Sequence, residues 1–139
     1  MRVMKKAAVL AATAGLLGTG LMTAAPANAQ PWANLIVEAC DTSHSGAGDL
    51  CLFYNSGYQG SNIGFWGGDV PNLGAYRFIT SGNGQGQGVW HNGGSDANYN
   101  TIHGAWIIGA GGNNTWVAPN TSNNLGGNSK NLQEQVVWG

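Results

Sequence analysis

Charge is scarce in this chain: Asp, Glu, Lys and Arg together make up 8% of its 139 residues. Positive charge is scarcer still after the first six residues, because Arg2, Lys5 and Lys6 precede a long stretch in which only Arg77 and Lys130 are basic. So few cations leave no footprint for a phosphate backbone, which argues against nucleic acid as a partner. They also leave no basic amphipathic helix for an anionic membrane surface. Leucine and isoleucine are sparse after residue 29, and Gly or Asn interrupts nearly every window, so no sustained 3.6-residue apolar period exists. A helical architecture is excluded on that ground.

The chain does open on an ordered set of targeting signals. A basic start is followed by the apolar run AAVLAATAGLLGTGLMTAA, then Pro26 and Ala27-Asn28-Ala29. This order, with an Ala-x-Ala site at its end, predicts a secretory signal peptide over residues 1–29. A membrane anchor fits less well, since the run holds several Gly and Thr and no positive charges follow it. Secretion to the extracellular space is therefore expected, with a mature chain of residues 30–139 that carries two basic and six acidic residues. That length suits one domain.

All thirteen aromatic residues lie in this mature part. They supply the core that the missing Leu and Ile would otherwise provide, while Gly, Asn and Ser read as turns. Strands are predicted at 50–55 (LCLFYN), 62–66, 76–80, 88–91, 105–108, 115–118 and 135–138, separated by Gly/Asn-rich turns. The Gly-rich stretch 81–88 reads as loose. Two weakly similar halves, each with about four strands' worth of sequence, suit a pair of Greek keys. The class expected is all-β, a sandwich or small barrel. Cys40 and Cys51 are the only cysteines. In an oxidising compartment they are expected to form a disulfide, worth just under ~3 kcal/mol, rather than a thiol nucleophile or metal site.

Catalytic signals are missing. There is no Gly-x-Ser-x-Gly elbow and no recognisable carboxylate pair for glycoside hydrolysis. His44, His91 and His103 show no metal-type spacing and read as lone surface imidazoles. A non-enzyme without a cofactor, acting as a monomer, is expected. Trp66, Trp90, Trp106 and Trp116 lie near loops, and any that remain exposed would mark a binding patch.

The stretch LCLFYNSGYQG at 50–60 resembles the opening of the family I36 peptidase-inhibitor domain, a secreted actinobacterial family with a βγ-crystallin-like fold. Phe53, Tyr58 and Gly60 sit at the spacing of the βγ-crystallin aromatic corner, where a glycine at positive φ folds the hairpin over and two rings pack across it. GQGVWHNGGS at 86–95 is similar to the family's closing segment. The resemblance implies a βγ-crystallin-like Greek-key sandwich with two related halves. It also implies an inhibitor that occludes an extracellular protease with a rigid loop. Asp69, Val70, Pro71 and Asn72 are the expected loop, because Pro71 stiffens the turn. The alternative is a structural, cell-surface or killer-toxin-like antimicrobial module without inhibitory activity. Inhibitory members of the family are described with more than one disulfide, so no reactive-site bond carries over. βγ-Crystallin domains often bind calcium, which places a weak candidate site at Asn92, Ser95 and Asp96. His91 and Asp96 depart from that pattern, and imidazole is a poor substitute for the hard oxygen that calcium prefers.

Overall fold

Residues 32–127 and 129–139 are described by a computed structural model; the expected signal peptide lies outside them. The sequence LCLFYN alternates so that Leu50 and Leu52 point to one side of a strand, Cys51 and Phe53 to the other. Both sides are buried. This strand, β2 (Leu50–Asn55), turns back through a tight corner into β3 (Gln59–Trp66). It also pairs antiparallel with β4 (Ser95–Asn98) on its other edge. The short β1 (Ile36–Glu38) flanks β3, and β7 (Thr121–Asn124) flanks β4, giving a five-stranded sheet ordered β1-β3-β2-β4-β7. A second sheet, β6-β5-β8, comprises β6 (Thr115–Val117), β5 (Ala105–Gly109) and β8 (Gln133–Trp138). The protein is therefore all-β, with two antiparallel sheets and three short 3-10 turns among the described residues.

Val70 extends the second sheet. It bridges Val136 through a reciprocal pair of backbone hydrogen bonds, Val70 N to Val136 O at 2.8 Å and Val136 N to Val70 O at 2.9 Å. Each sheet thus contains a hairpin, a returning strand beside it, and an outermost piece contributed by the other half of the chain. The two connections into the returning strands also match, with His91 at φ 56° and Asn131 at φ 57°. They exchange backbone bonds, His91 N to Gln133 O and Asn131 N to Gly93 O, at 3.1 and 3.0 Å.

One apolar cluster fills the space between the sheets. Leu50, Leu52, Ile63 and Phe65 meet Ala105, Ile107, Val117, Val136 and Trp138, with Val70, Leu73, Phe78 and Val89 closing it. Burying a Leu, Ile or Phe side chain stabilises by about 1.5–3 kcal/mol, so this cluster is the main cohesive element. A smaller cluster of Cys51, Phe53 and Ala97, covered by Cys40 and Tyr99, lies on the outer face of the first sheet. The Cys40–Cys51 disulfide is present there.

Three expectations change. The 76–80 and 88–91 segments are not sheet strands; they form a hairpin joined by the single bridge Arg77–Gly88. β4 and β7 are strands made of polar sequence, SDAN and TSNN, which carry no apolar alternation to announce them. The Gly-rich 81–88 stretch is not loose but folded down onto β3. Across the hairpin that it closes, Phe78 N donates to Gln87 O, Gly86 N to Phe78 O and Val89 N to Tyr76 O.

Candidate functional site

The hairpin formed by residues 76–89 is the most built of the exposed segments. Ile79 N donates to Asn62 O at 3.0 Å, Ser61 N to Asn83 O at 2.8 Å, and Thr80 Oγ1 accepts from Asn62 N at 2.8 Å. Asn83 Nδ2 reaches Asn55 Oδ1 at 3.2 Å. Gly84, at φ 88°, lies so close on the ring of Tyr54 that a Cβ would overlap it. Phe78 is anchored in the core, leaving Arg77 and Ile79 exposed on either side of it, Ile79 by 45%. Arg77 is itself held, its guanidinium donating to Gly86 O at 3.0 Å.

The loop expected at residues 69–72 is built differently. Asp69 Oδ1 accepts from Trp138 N at 2.8 Å, and Val70 is fully buried against Val136. Pro71 and Asn72 are exposed and Asp69 is partly so, and Asn72 caps the following turn by accepting from Gly74 N. Two of the four residues are thus fixed parts of the second sheet, and the exposed remainder is a two-residue corner.

The aromatic corner is in place. The Phe53 and Tyr58 rings meet edge to face at 6.0 Å and 77°, and Gly60 adopts φ 80°. Asn92, Ser95 and Asp96 do not converge as a ligand set. Asn92 Nδ2 donates to Gly88 O, while the Ser95 hydroxyl donates to Asn55 O and accepts from Tyr58 N. Asp96, the next residue along the strand, faces the opposite side. It pairs in register with Leu52 and accepts from Asn123 Nδ2 at 3.2 Å. Its burial pushes the carboxyl up to about 7, against the lowering effect of the Asn123 hydrogen bonds. Asp96 Oδ2 has no hydrogen-bond partner.

The three histidines are not lone surface groups. His103 stacks on Trp32 at 3.8 Å, and His91 Nε2 lies 3.0 Å from Glu134 Oε1. His44 contacts Glu38 through Nδ1 and packs its ring 4.6 Å from that of Trp66. Around His44 a cluster assembles that linear spacing did not reveal. Glu38 projects from the outer face of β1, in register with Gly64 of β3. Because Gly64 has no side chain, the buried carboxylate of Asp49 sits over it; a Cβ there would overlap Asp49 Oδ2. Asp49 Oδ2 accepts from Asp41 N at 2.9 Å, and Oδ1 lies 3.8 Å from His44 Nδ1. Burial pushes the Asp49 carboxyl up to about 6, while hydrogen bonds from Ser43 hold Asp41 below its ordinary value. The signal was hidden because Glu38 ends a short strand, whereas Asp41, His44 and Asp49 lie in the loop closed by the Cys40–Cys51 disulfide. No family model matches the chain, and no curated protein and no solved structure matches it either.

Proposed function

We propose that the mature chain is a secreted, non-catalytic binding protein of βγ-crystallin-like build that blocks an extracellular protease with a preformed hairpin. The observation that carries this reading is the pinned 76–89 hairpin, which presents Arg77 and Ile79 on a backbone already tied to β3. A segment ordered before binding loses little entropy when it docks, which is what a stoichiometric inhibitor needs. The Greek-key assignment is supported by the exchange of edges between halves, by the paired positive-φ corners and by the Phe53–Tyr58 contact. Export is supported by the leader pattern and is compatible with the disulfide; no helix among the described residues is long and apolar enough to cross a membrane.

The test is titration of a panel of secreted metallo- and serine proteases with the oxidised mature chain. Stoichiometric inhibition of at least one, weakened about tenfold or more by Ile79→Asp at unchanged melting temperature, is expected. An intact, folded chain that inhibits none overturns the proposal. The second reading, a surface or antimicrobial module, is favoured by one observation: Trp106 and Trp116 form an outward cross-strand pair at 5.3 Å, with Trp116 41% exposed. It predicts a ligand whose binding changes on Trp116→Ala while Ile79→Asp has no effect.

A further inference from the structure

We propose that Glu38, Asp41, His44 and Asp49 form a binding site for a divalent transition-metal ion, with zinc as the best fit, on the outer face of the first sheet. Donor atoms of Glu38, Asp41 and His44 lie within 4.8 Å of one another. Zinc–nitrogen and zinc–oxygen bonds of about 2.0–2.2 Å place tetrahedral ligand atoms roughly 3.3–3.6 Å apart, so the side chains draw in by up to about 1.2 Å on binding.

The independent observation is Asp49. Its side chain is fully buried, and Oδ1 has no hydrogen-bond partner although it points at His44 Nδ1 from 3.8 Å. A buried carboxylate oxygen left unpaired is costly, and native structures rarely tolerate one without compensation. A cation held between Asp49 Oδ1, His44 Nδ1 and the Glu38 and Asp41 carboxylates supplies the missing partner.

The donor chemistry selects the ion. Calcium and magnesium take oxygen ligands, whereas one imidazole with carboxylates suits zinc and its neighbours. The frame is also suited to holding a fixed geometry. Asp41, His44 and Asp49 all fall inside the loop closed by Cys40–Cys51, and that loop is tied down by Asp49 N to Asp41 O and Tyr99 N to Asp49 O. Glu38 is set by its pairing with β3, and Trp66 covers one side of the imidazole. On binding, the ion takes the place of the hydrogen between His44 Nδ1 and Glu38, and the imidazole stays neutral with its ring hydrogen on Nε2.

The oxidised mature chain, stripped of metal, is titrated with zinc chloride by calorimetry and followed by melting temperature. One ion per chain is expected, with a rise in melting temperature that EDTA reverses, since a ligand that binds only the folded state stabilises it. Calcium at the same concentration gives neither. Glu38→Gln and His44→Ala each weaken zinc more than about 100-fold, beyond what loss of a supporting contact costs. His91→Ala, which alters the other imidazole–carboxylate pair, leaves zinc affinity unchanged. Asp49→Asn also loses the site; should it fail to fold, the half-exposed Glu38→Gln carries the test. No heat and no thermal shift at millimolar zinc overturns the proposal, as does affinity undiminished in both Glu38→Gln and His44→Ala.

Discussion

Asp96 holds a carboxyl on the inner face of its sheet, paired with Leu52 where Val136 pairs with Ile107 in the other sheet. Its value of about 7 stands above the ordinary 3.8, so the native state binds the proton more tightly than the unfolded chain does. The stability it contributes is complete below about pH 4 and is lost as pH rises through about 7, at up to ~1.4 kcal/mol per pH unit. Asp49, raised to about 6, adds a slope of the same sign over a narrower window. Denaturant midpoints should therefore fall between about pH 4.5 and 8, and Asp96→Asn should flatten part of that fall; an unchanged slope would show that Asp96 is not the group responsible. Glycine placement is equally specific. Gly84→Ala puts a methyl group into the Tyr54 ring at a left-handed backbone position and should cost at least about 2 kcal/mol, read from chemical unfolding. Composition alone could not single out Gly84 from 24 glycines, since what distinguishes it is a ring brought over it from another strand.

At the scale of elements, β2 and the hairpin it opens were legible because aliphatic and aromatic residues alternate and a glycine marks the corner. β5 and β8 were legible for the same reason, their boundaries shifting by one or two residues. β4 was not, because its buried side chains Ser95, Asp96 and Asn98 are polar and each has a hydrogen bond to a group distant in sequence. Asn98 Nδ2, for instance, donates to Val117 O across to the other sheet. The 81–88 stretch was misread for the opposite reason: Gly82 and Gly84 pack closely on β3 and Tyr54, and backbone hydrogen bonds hold the rest of the segment. This makes a direct prediction. The amides of Phe78, Gly86 and Val89 should be protected in hydrogen exchange to a degree near that of β3, whereas a loose loop would exchange them at once. The metal cluster stayed invisible because its ligands come from one strand edge and an irregular loop, whose convergence depends on a glycine opposite Asp49 and on the disulfide.

For the whole molecule, the exchange of edges has an energetic meaning. Without β7 the first sheet exposes β4, and without Val70 the second exposes β8. Neither half can complete its own hydrogen bonding, so unfolding should be a single cooperative transition, and a fragment of residues 30–101 should show no such transition in circular dichroism. Reducing Cys40–Cys51 frees a short loop at the rim without cutting this interlock. The expected loss is just under ~3 kcal/mol, seen as a lowered midpoint with cooperativity retained.

Trp32 packs edge-on against Trp138 at 4.7 Å, so the beginning and the end of the described chain lie side by side. The order in which the strands are synthesised is therefore separable from the order in which they are arranged. A permuted gene that joins Gly139 to Trp32 through a brief linker, and opens the chain at the exposed Gly126-Gly127 turn, should yield the same two sheets. In such a molecule β8 would emerge from the ribosome ahead of every other strand, and it would wait for β5 and Val70, synthesised later, to supply the partners on its two edges.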